Sequence, residues 1–282
     1  MGAPDFVAIG HVTLDRFGGV VRPGGAALYA AVTADRLGLS AGILTSHAAD
    51  FPLDLIPPRI EVVSLPADAT TTFEYVTEGV RRTMRVTATA RPLGESDVPD
   101  DWRAAPLVLL APVVGEVDPD GTAEAFDDDP TLAAAAQGWL RALGPDGAVR
   151  PRSWTPSGAL LDRLQAIFVS REDVEDEVAA AVEWFQRVPL GVLTAGDVGA
   201  LLYVNGERYE VRPRPALELD PTGAGDVFAA TFLIRYHLEG DPWEAAAAAA
   251  CAAALSVEGE GWTAVPDRVV LDAVLAQYRH DE

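Results

Sequence analysis

The chain contains no lysine, and all of its 21 basic residues are arginines, set against 43 acidic residues. Without lysine, neither Schiff-base chemistry nor a P-loop lysine is available. The formal net charge of −22 would repel a polyanion, which disfavours a nucleic-acid partner. The composition therefore excludes lysine-dependent sites and predicts that the chain does not bind nucleic acid.

Cysteine and long apolar runs are also scarce. The single Cys251 excludes a disulfide framework and a zinc site built from cysteines. The sequence has no apolar run long enough to span a bilayer, and its first residues lack a basic region followed by an apolar one. We therefore expect no signal peptide, no membrane contact and a cytoplasmic location.

What the 282-residue chain does contain, at 49% hydrophobic residues, is a pattern of alternating strands and helices. A strand over 5–11, a helix over 26–37 ending near Gly38 and a strand over 41–45 form a βαβ unit. Such a unit predicts a parallel sheet with ligands at the carboxyl ends of its strands. No G-x-G-x-x-G follows the first strand, which disfavours a dinucleotide-dependent dehydrogenase.

Other segments predict additions to this layer and further helices. Residues 61–90 are rich in β-branched and aromatic residues, which is typical of a small separate sheet or flap. The alanine-rich segment 132–143 is compatible with a helix. Ser170 and Asp173 suit a capping box at the start of a helix that extends to about Arg187. Asn205-Gly206 predicts a hairpin, and Asp241 predicts the start of a helix.

The most informative stretch is Asp220-Pro221-Thr222-Gly223-Ala224-Gly225-Asp226. Its glycines allow backbone N–H groups at the first turn of a helix to approach an anion. A carboxylate at Asp226 would repel a phosphate unless it takes a proton from the group that attacks the phosphate. The plainer alternative is an aspartate that stabilises the first turn of an ordinary helix.

Taken in order, several motifs resemble the ribokinase-like, or PfkB, family of sugar and nucleoside kinases. They are Gly24-Gly25, the β-rich segment that follows, Thr194-Ala195-Gly196-Asp197-Val198-Gly199 and the stretch from Asp220 to Asp226. The resemblance implies an α/β, Rossmann-type sandwich with a mainly parallel central sheet, flanking helices and a small β-lid. It further implies one kinase domain over 1–282, with lid strands at about 12–22 and 61–90.

The resemblance also implies phosphoryl transfer from ATP with Mg²⁺ as cofactor and, as in many members, a monovalent cation such as K⁺. Asp226 would be the base, and Gly223, Ala224 and Gly225 would form the anion hole. The residues implied at the ATP site are Thr194, Gly196, Gly199, Thr222 and Ser170. Asp173 and Asp220 would be the metal-side residues, Asp220 together with the loop at 259–261 next to a monovalent cation.

The acceptor implied by the resemblance is a small sugar or polyol, with features closest to members that act on inositol. The residues implied to bind it are Asp15, Gly24, Gly25, Asp50 and Gln137, and the lid is expected to mediate a homodimer. A nucleoside kinase of the same fold remains an alternative, with Tyr29 or Phe73 stacking on the base. A second alternative is a non-catalytic relative that binds a sugar or a nucleotide. His11 fits a packed histidine as well as a ligand contact.

Overall fold

A nine-stranded sheet forms the centre of the computed structural model, which describes residues 2–78, 81–127, 130–174 and 178–280. The strands, in chain order, are β1 Phe6–Ile9, β2 Thr13–Phe17, β3 Val20–Gly24, β4 Ala41–His47, β5 Glu61–Pro66, β6 Thr72–Glu78, β7 Arg81–Ala88, β8 Leu107–Leu110, β9 Thr131–Ala135, β10 Arg141–Leu143, β11 Val149–Pro151, β12 Ala166–Ser170, β13 Leu190–Thr194, β14 Ala200–Val204 and β15 Glu207–Val211. The helices are α1 Ala26–Arg36, α2 Pro119–Glu124, α3 Gly158–Arg163, α4 Arg171–Val174, α5 Val178–Phe185, α6 Ala224–Glu239, α7 Pro242–Ser256 and α8 Arg268–His280.

The main sheet has the order β15-β14-β13-β12-β9-β8-β1-β4-β5. The strands from β5 to β13 run parallel, whereas β14 and β15 add an antiparallel edge. One face buries residues of α1, α6, α7 and α8, and the other buries residues of α2, α3 and α5. Because both faces are covered, the central strands β1 and β8 are apolar along their whole length. This arrangement confirms the predicted α/β class.

A second sheet, of order β3-β2-β6-β7, stands apart from the main sheet. A short β10–β11 hairpin lies next to it, because Val86 of β7 donates its N–H to the carbonyl of Gly147 in the hairpin turn. The predicted lid range of 61–90 is too wide, since β5 pairs with β4 in the main sheet. Because β-branched residues are favoured in the strands of both sheets, the composition of β5 does not show whether it belongs to the main sheet or to the second sheet. That the chain folds as one domain stays a prediction.

The helix predicted over 132–143 is wrong. This segment forms β9, a 3₁₀ turn over Ala136–Gly138 and then β10. Alanine favours helices only weakly, and tertiary context overrides that preference. Ala133 and Ala134 are fully buried between β8 and β12, where small side chains allow helices to approach both faces.

Other sequence-based predictions hold. The helices predicted after Gly25, Gly223 and Asp241 are α1, α6 and α7, and the side chain of Asp241 accepts hydrogen bonds from two N–H groups of α7. Asn205 and Gly206 have positive φ and connect β14 to β15. The helix predicted from Ser170 to Arg187 corresponds to α4 and α5, with 175–177 outside the described residues. Within the described ranges, no helix is both long and apolar enough to cross a membrane.

Candidate active site

The glycine-rich loop before α6 presents an uncapped helix N-terminus. Gly223 has φ +81°, and a Cβ there would lie 2.3 Å from the ring of Tyr29, so only glycine fits. A Cβ on Gly225 would meet no heavy atom within 4 Å, which places this residue next to open space. No side chain of the described residues caps the helix at Gly223. The N–H of Ala224 donates to the carbonyl of Pro221 at 3.3 Å, and the positive end of the helix dipole with the neighbouring N–H groups is suited to an anion.

Asp226 lies in the first turn of α6 and is partly buried. The Nε2 atom of Gln137, in the 3₁₀ turn after β9, donates a hydrogen bond of 2.9 Å to its Oδ1. The pKa of Asp226 is raised to about 7: burial is the main cause, the charges of Asp173 and Asp15 add to it, and Arg141 and the Gln137 hydrogen bond oppose it. A carboxylate with a pKa near neutrality is suited to accept a proton in catalysis.

An ion pair joins Arg141 of β10 to Asp173 of α4. The guanidinium donates from Nε and Nη2 to Oδ1 of Asp173 at 3.3 and 3.2 Å, and from Nη1 to the carbonyl of Val113 at 3.3 Å. Burial raises the pKa of Asp173, and the nearby Arg141 lowers it. Asp173 thus binds an arginine rather than completing the predicted capping box, whereas the Oγ of Ser170 accepts the N–H of Glu172 at 3.2 Å.

The residues expected to bind the acceptor come together at the start of α1. Asp15 of β2 is 4% exposed and accepts a hydrogen bond of 2.9 Å from Thr13. A Cβ on Gly24 would lie 2.2 Å from the Oδ2 of Asp15, so the carboxylate closes directly over this glycine. Gly25, at φ +103°, precedes α1, and a Cβ there would meet the carbonyl of His11 at 2.3 Å. Both glycines are thus required by close approach.

Tyr29 of α1 connects the acceptor side to the loop before α6. Its side chain is buried against Gly223. Burial raises the pKa of its phenol, and the negative charges of Asp15, Asp220 and Asp226 raise it further. Three carboxylates, one from the small sheet and two from the loop region before and within α6, therefore lie near one side chain.

The turn expected to bind the donor follows β13. Thr194 ends that strand, and Gly196 and Gly199 have φ of +57° and +103°. This turn contributes Ala195 and Val198 to a cavity of about 600 Å³, whose other walls come from α4 and the β10–β11 hairpin. Three arginines line the cavity, Arg141, Arg150 and Arg171, together with Glu172 and Asp173. The cavity is therefore suited to a phosphate-rich ligand.

Asp220 is buried in the loop that leads to α6. Its Oδ1 accepts the N–H of Thr222 at 3.1 Å, and its Oδ2 accepts the N–H of Gly261 at 3.2 Å. The Nη1 of Arg22, on β3, also donates to Oδ2 at 3.3 Å. The position expected next to a monovalent cation thus already has a guanidinium beside it.

Asp50 and His11 make contacts of a structural kind. Asp50 is exposed in the loop after β4 and accepts a hydrogen bond from Thr70. The ring nitrogens of buried His11 lie 2.7 Å from the hydroxyl of Thr71 and 2.8 Å from the carbonyl of Arg91. These partners satisfy both nitrogens, which fits the packed histidine rather than a ligand contact.

The sequence did not identify Arg141 and Arg22, the two arginines that contact the acidic residues of the site. Arg141 lies four residues after Gln137, and only the turn between β9 and β10 brings both towards Asp226. Arg22 is the register partner of Asp15 in the β2–β3 pair. The glycines between these strands indicate a turn but do not determine this register. Neither arginine is close in sequence to the acidic residue that it contacts.

Part of the chain is similar in sequence to known carbohydrate and nucleoside kinases. Residues 162–268 match the model of the pfkB family of carbohydrate kinases. An inositol 3-kinase of Zea mays is 34% identical over 153 residues, which are 54% of this chain and 39% of that protein. The chain therefore spans about two fifths of the length of this relative. A cytidine kinase of Thermococcus kodakarensis is 27% identical over 263 residues, 85% of this chain and 91% of that protein.

Solved structures show the same fold over almost the whole chain. One is a pyrophosphate-dependent kinase in the ribokinase family, complexed with a pyrophosphate analog and myo-inositol. It superposes with a TM-score of 0.79 at 21% identity and covers 95% of this chain and 99% of its own. The sequence match at 162–268 and this shared fold agree with the resemblance to the ribokinase-like PfkB family.

Proposed function

We propose that this chain is a kinase that transfers the terminal phosphoryl group of ATP to a hydroxyl of a small polyol. The observation that carries the proposal is Asp226, a carboxylate with a pKa of about 7 in the first turn of an uncapped, glycine-led helix. A base and an anion site are thus adjacent on one turn of α6. Phosphoryl transfer needs little more from the protein than positioning, charge stabilisation and a base.

In the proposed mechanism, Asp226 accepts the proton of the attacking hydroxyl, because its pKa lets it be ionised near neutral pH and protonated after the transfer. The N–H groups at Gly223, Ala224 and Gly225 stabilise the negative charge on the moving phosphoryl group. Gln137 holds the carboxylate in place by its hydrogen bond of 2.9 Å. Thr222, whose N–H is fixed by Asp220, keeps the loop in register.

Magnesium fits this site only if most of its ligands come from the phosphates of the phosphoryl donor and from water. Among the described residues, no three acidic, histidine or cysteine side chains are grouped so as to hold a metal. Mg²⁺ commonly binds one or two carboxylates and takes its other ligands from water and substrate phosphates. Asp173 and Glu172 are two carboxylates that line the donor cavity, and Asp173 is the one that the resemblance implies. When bound, the ion would neutralise charge on the donor phosphates.

For the acceptor we propose a polyol of the inositol class. Asp15 lies against the Gly24-Gly25 pair before α1, and a carboxylate can accept hydrogen bonds from two neighbouring hydroxyls. The match to an inositol 3-kinase supports this choice. Gln137 can contact the same acceptor, because it already lies beside the base. Asp50 is the weakest member of the proposed set, since its recorded contact is to Thr70.

A nucleoside acceptor is the second candidate, supported by the match to a cytidine kinase over 85% of this chain. Tyr29 and Phe73 were the aromatics considered for stacking on a base. Both are 3% exposed, and Tyr29 packs on Gly223. Stacking would require either ring to leave its present packing, which disfavours this candidate relative to the polyol.

Pyrophosphate is a second candidate donor, because the arginines of the donor cavity recognise phosphates rather than a nucleobase. Arg150 and Arg171 are exposed residues that line the cavity, and Arg141 lines it as the ion-pair partner of Asp173. A similar structure is that of a kinase bound to a pyrophosphate analog. In a chain of net charge −22, this concentration of guanidinium groups favours a compact polyanion.

A donor-by-acceptor screen tests these assignments. ATP and pyrophosphate are each combined with myo-inositol, ribose, fructose, cytidine and adenosine, and the products are identified by phosphorus NMR. We expect a phosphorylated polyol. Transfer to a nucleoside instead would establish the second acceptor. Thermal stabilisation by these ligands without any product would identify the non-catalytic relative and contradict the proposal.

We also propose that the small sheet forms a homodimer interface. Val20 and Val21 at the start of β3 are about half exposed, at 51% and 49%. Exposed apolar residues on a projecting sheet are suited to pair with a second copy. Sedimentation of the protein and of a Val20→Ser, Val21→Ser variant tests this. A monomeric parent protein would contradict it.

A further inference from the structure

The buried carboxylate of Asp220 connects three parts of the chain. Its side chain is 10% exposed. It accepts backbone N–H groups from Thr222, in the loop before α6, and from Gly261, at the start of a 3₁₀ turn over Gly261–Ala264. A buried carboxylate requires a compensating positive charge. In this chain, which lacks lysine, that charge comes from an arginine.

Arg22 supplies it from the small sheet. Its Nη1 donates to Asp220 at 3.3 Å, and its Nη2 donates to Glu260 at 3.0 Å. The guanidinium also lies over the ring of Phe17, 5.3 Å from the centroid, and that ring stacks on Tyr75 at 4.7 Å. A planar, always charged group that is held by a carboxylate pair and an aromatic face has a fixed position.

The family implies a monovalent cation next to Asp220, and the residues present do not fit one. An aspartate has about four lone-pair sites, and three of them take the N–H of Thr222, the N–H of Gly261 and Arg22. A further cation on this carboxylate would lie close to the guanidinium and be repelled by it.

We propose that Arg22 is a positioning residue that acts as a built-in cation for Asp220. It holds the loop that begins α6 and ties that loop to the small sheet, so the protein needs no dissolved monovalent ion at this place. The small sheet and the anion-binding loop are consequently coupled through one ion pair. Arg22 touches neither the phosphoryl group nor the hydroxyl in this account.

The test compares salts at constant ionic strength, with K⁺, Na⁺ or tetramethylammonium chloride. The first measurement is the thermal unfolding midpoint, which does not depend on the chain being a kinase. We expect the same midpoint for the parent protein in all three salts. In an Arg22→Met variant, K⁺ or millimolar guanidinium should raise the midpoint relative to tetramethylammonium. The matched control is Arg16→Met, at an exposed position on the neighbouring strand β2, and we expect no salt-specific response.

The second measurement is turnover and rests on the proposed function. The Arg22→Met variant should lose about tenfold to a hundredfold in kcat, since small displacements of a positioning loop are costly, and guanidinium should restore part of the loss. If no donor and acceptor pair gives a product, the proposed kinase function is refuted. The thermal unfolding measurements then test the role of Arg22 by themselves. Clear activation or stabilisation of the parent protein by K⁺ would overturn the inference. The inference would also be overturned if Arg22→Met had the same unfolding midpoint and kcat as the parent protein, or if no cation raised either quantity in the variant. If that variant does not fold, Arg22→Gln replaces it.

Discussion

The hydrogen bond from Gln137 to Asp226 should set the pH at which the protein becomes active. A hydrogen bond to a charged group contributes about 1.5–3 kcal/mol, and one pKa unit corresponds to about 1.4 kcal/mol. Asp226 is partly exposed, so water replaces part of a lost donor. Replacing Gln137 by Met, which has a similar shape and no donor, should therefore raise the pKa of Asp226 by about one unit from about 7.

The size of the effect on turnover follows from the ionised fraction of the base. At pH 7 that fraction falls from about one half to about one tenth when the pKa rises by one unit, so turnover should fall about fivefold. At pH 9 both proteins are mostly ionised, and the difference should be about 10%. A loss of acceptor contact alone would instead lower kcat/KM equally at all pH values.

The assay is the pH dependence of kcat/KM for the best acceptor from the screen, for the parent protein, Gln137→Met and Gln186→Met. Gln186 donates to the carbonyl of Gly206 at the far side of the sheet, so its variant controls for the substitution itself. A Gln137→Met profile whose rising limb coincides with that of the parent protein would refute the link between this hydrogen bond and the base.

Two further predictions follow from the packing of the site. Gly24→Ala should raise the KM of the acceptor and leave donor binding intact, because the new Cβ would lie 2.2 Å from the carboxylate of Asp15. The control is Gly19→Ala, where a Cβ would meet no heavy atom within 4 Å. This variant should have the same KM as the parent protein. Asp226→Asn should raise the thermal unfolding midpoint at pH 8, because burial raises the pKa of Asp226 from 3.8 to about 7. Its stabilising contribution is complete below pH 3.8 and is lost as the pH rises to about 7, so the advantage of the variant should grow over that interval and then level off. A midpoint difference that is constant with pH would contradict this linkage.

Local signals in the sequence were sufficient wherever the chemistry of the backbone is local. The start of α6 follows from Gly223, which no other residue can replace beside Tyr29, and the start of α7 follows from the capping side chain of Asp241. The hairpin at Asn205-Gly206 follows from the positive φ that these residues tolerate. These features depend on a few neighbouring residues, so they could be predicted without the fold.

Features that depend on long-range packing could not be predicted in this way. Residues 132–143 are alanine-rich and compatible with a helix, yet Thr131–Ala135 forms β9, because its pairing with β8 and β12 overrides the weak helix preference of alanine. The capping-box pattern was correct for Ser170 as the cap, but its predicted acidic partner, Asp173, accepts hydrogen bonds from Arg141 instead. Contacts between residues far apart in sequence decide both outcomes.

The arginines of the site illustrate the same limit. Arg22 and Asp220 are 198 residues apart in sequence and 3.3 Å apart in space, and no pattern within either segment signals the pair. The family resemblance predicted a charge beside Asp220, but not that the chain itself would provide it.

The most direct test of the account is the turnover of Asp226→Asn. The variant keeps the size and polarity of the side chain and removes only its ability to take a proton, and Asp54→Asn, at an exposed position in the 3₁₀ turn Leu53–Leu55, is the matched control. We expect a loss of at least about two orders of magnitude in kcat, with donor and acceptor affinities, measured by calorimetry, close to those of the parent protein. Near-normal turnover of Asp226→Asn would contradict the assignment of Asp226 as the base.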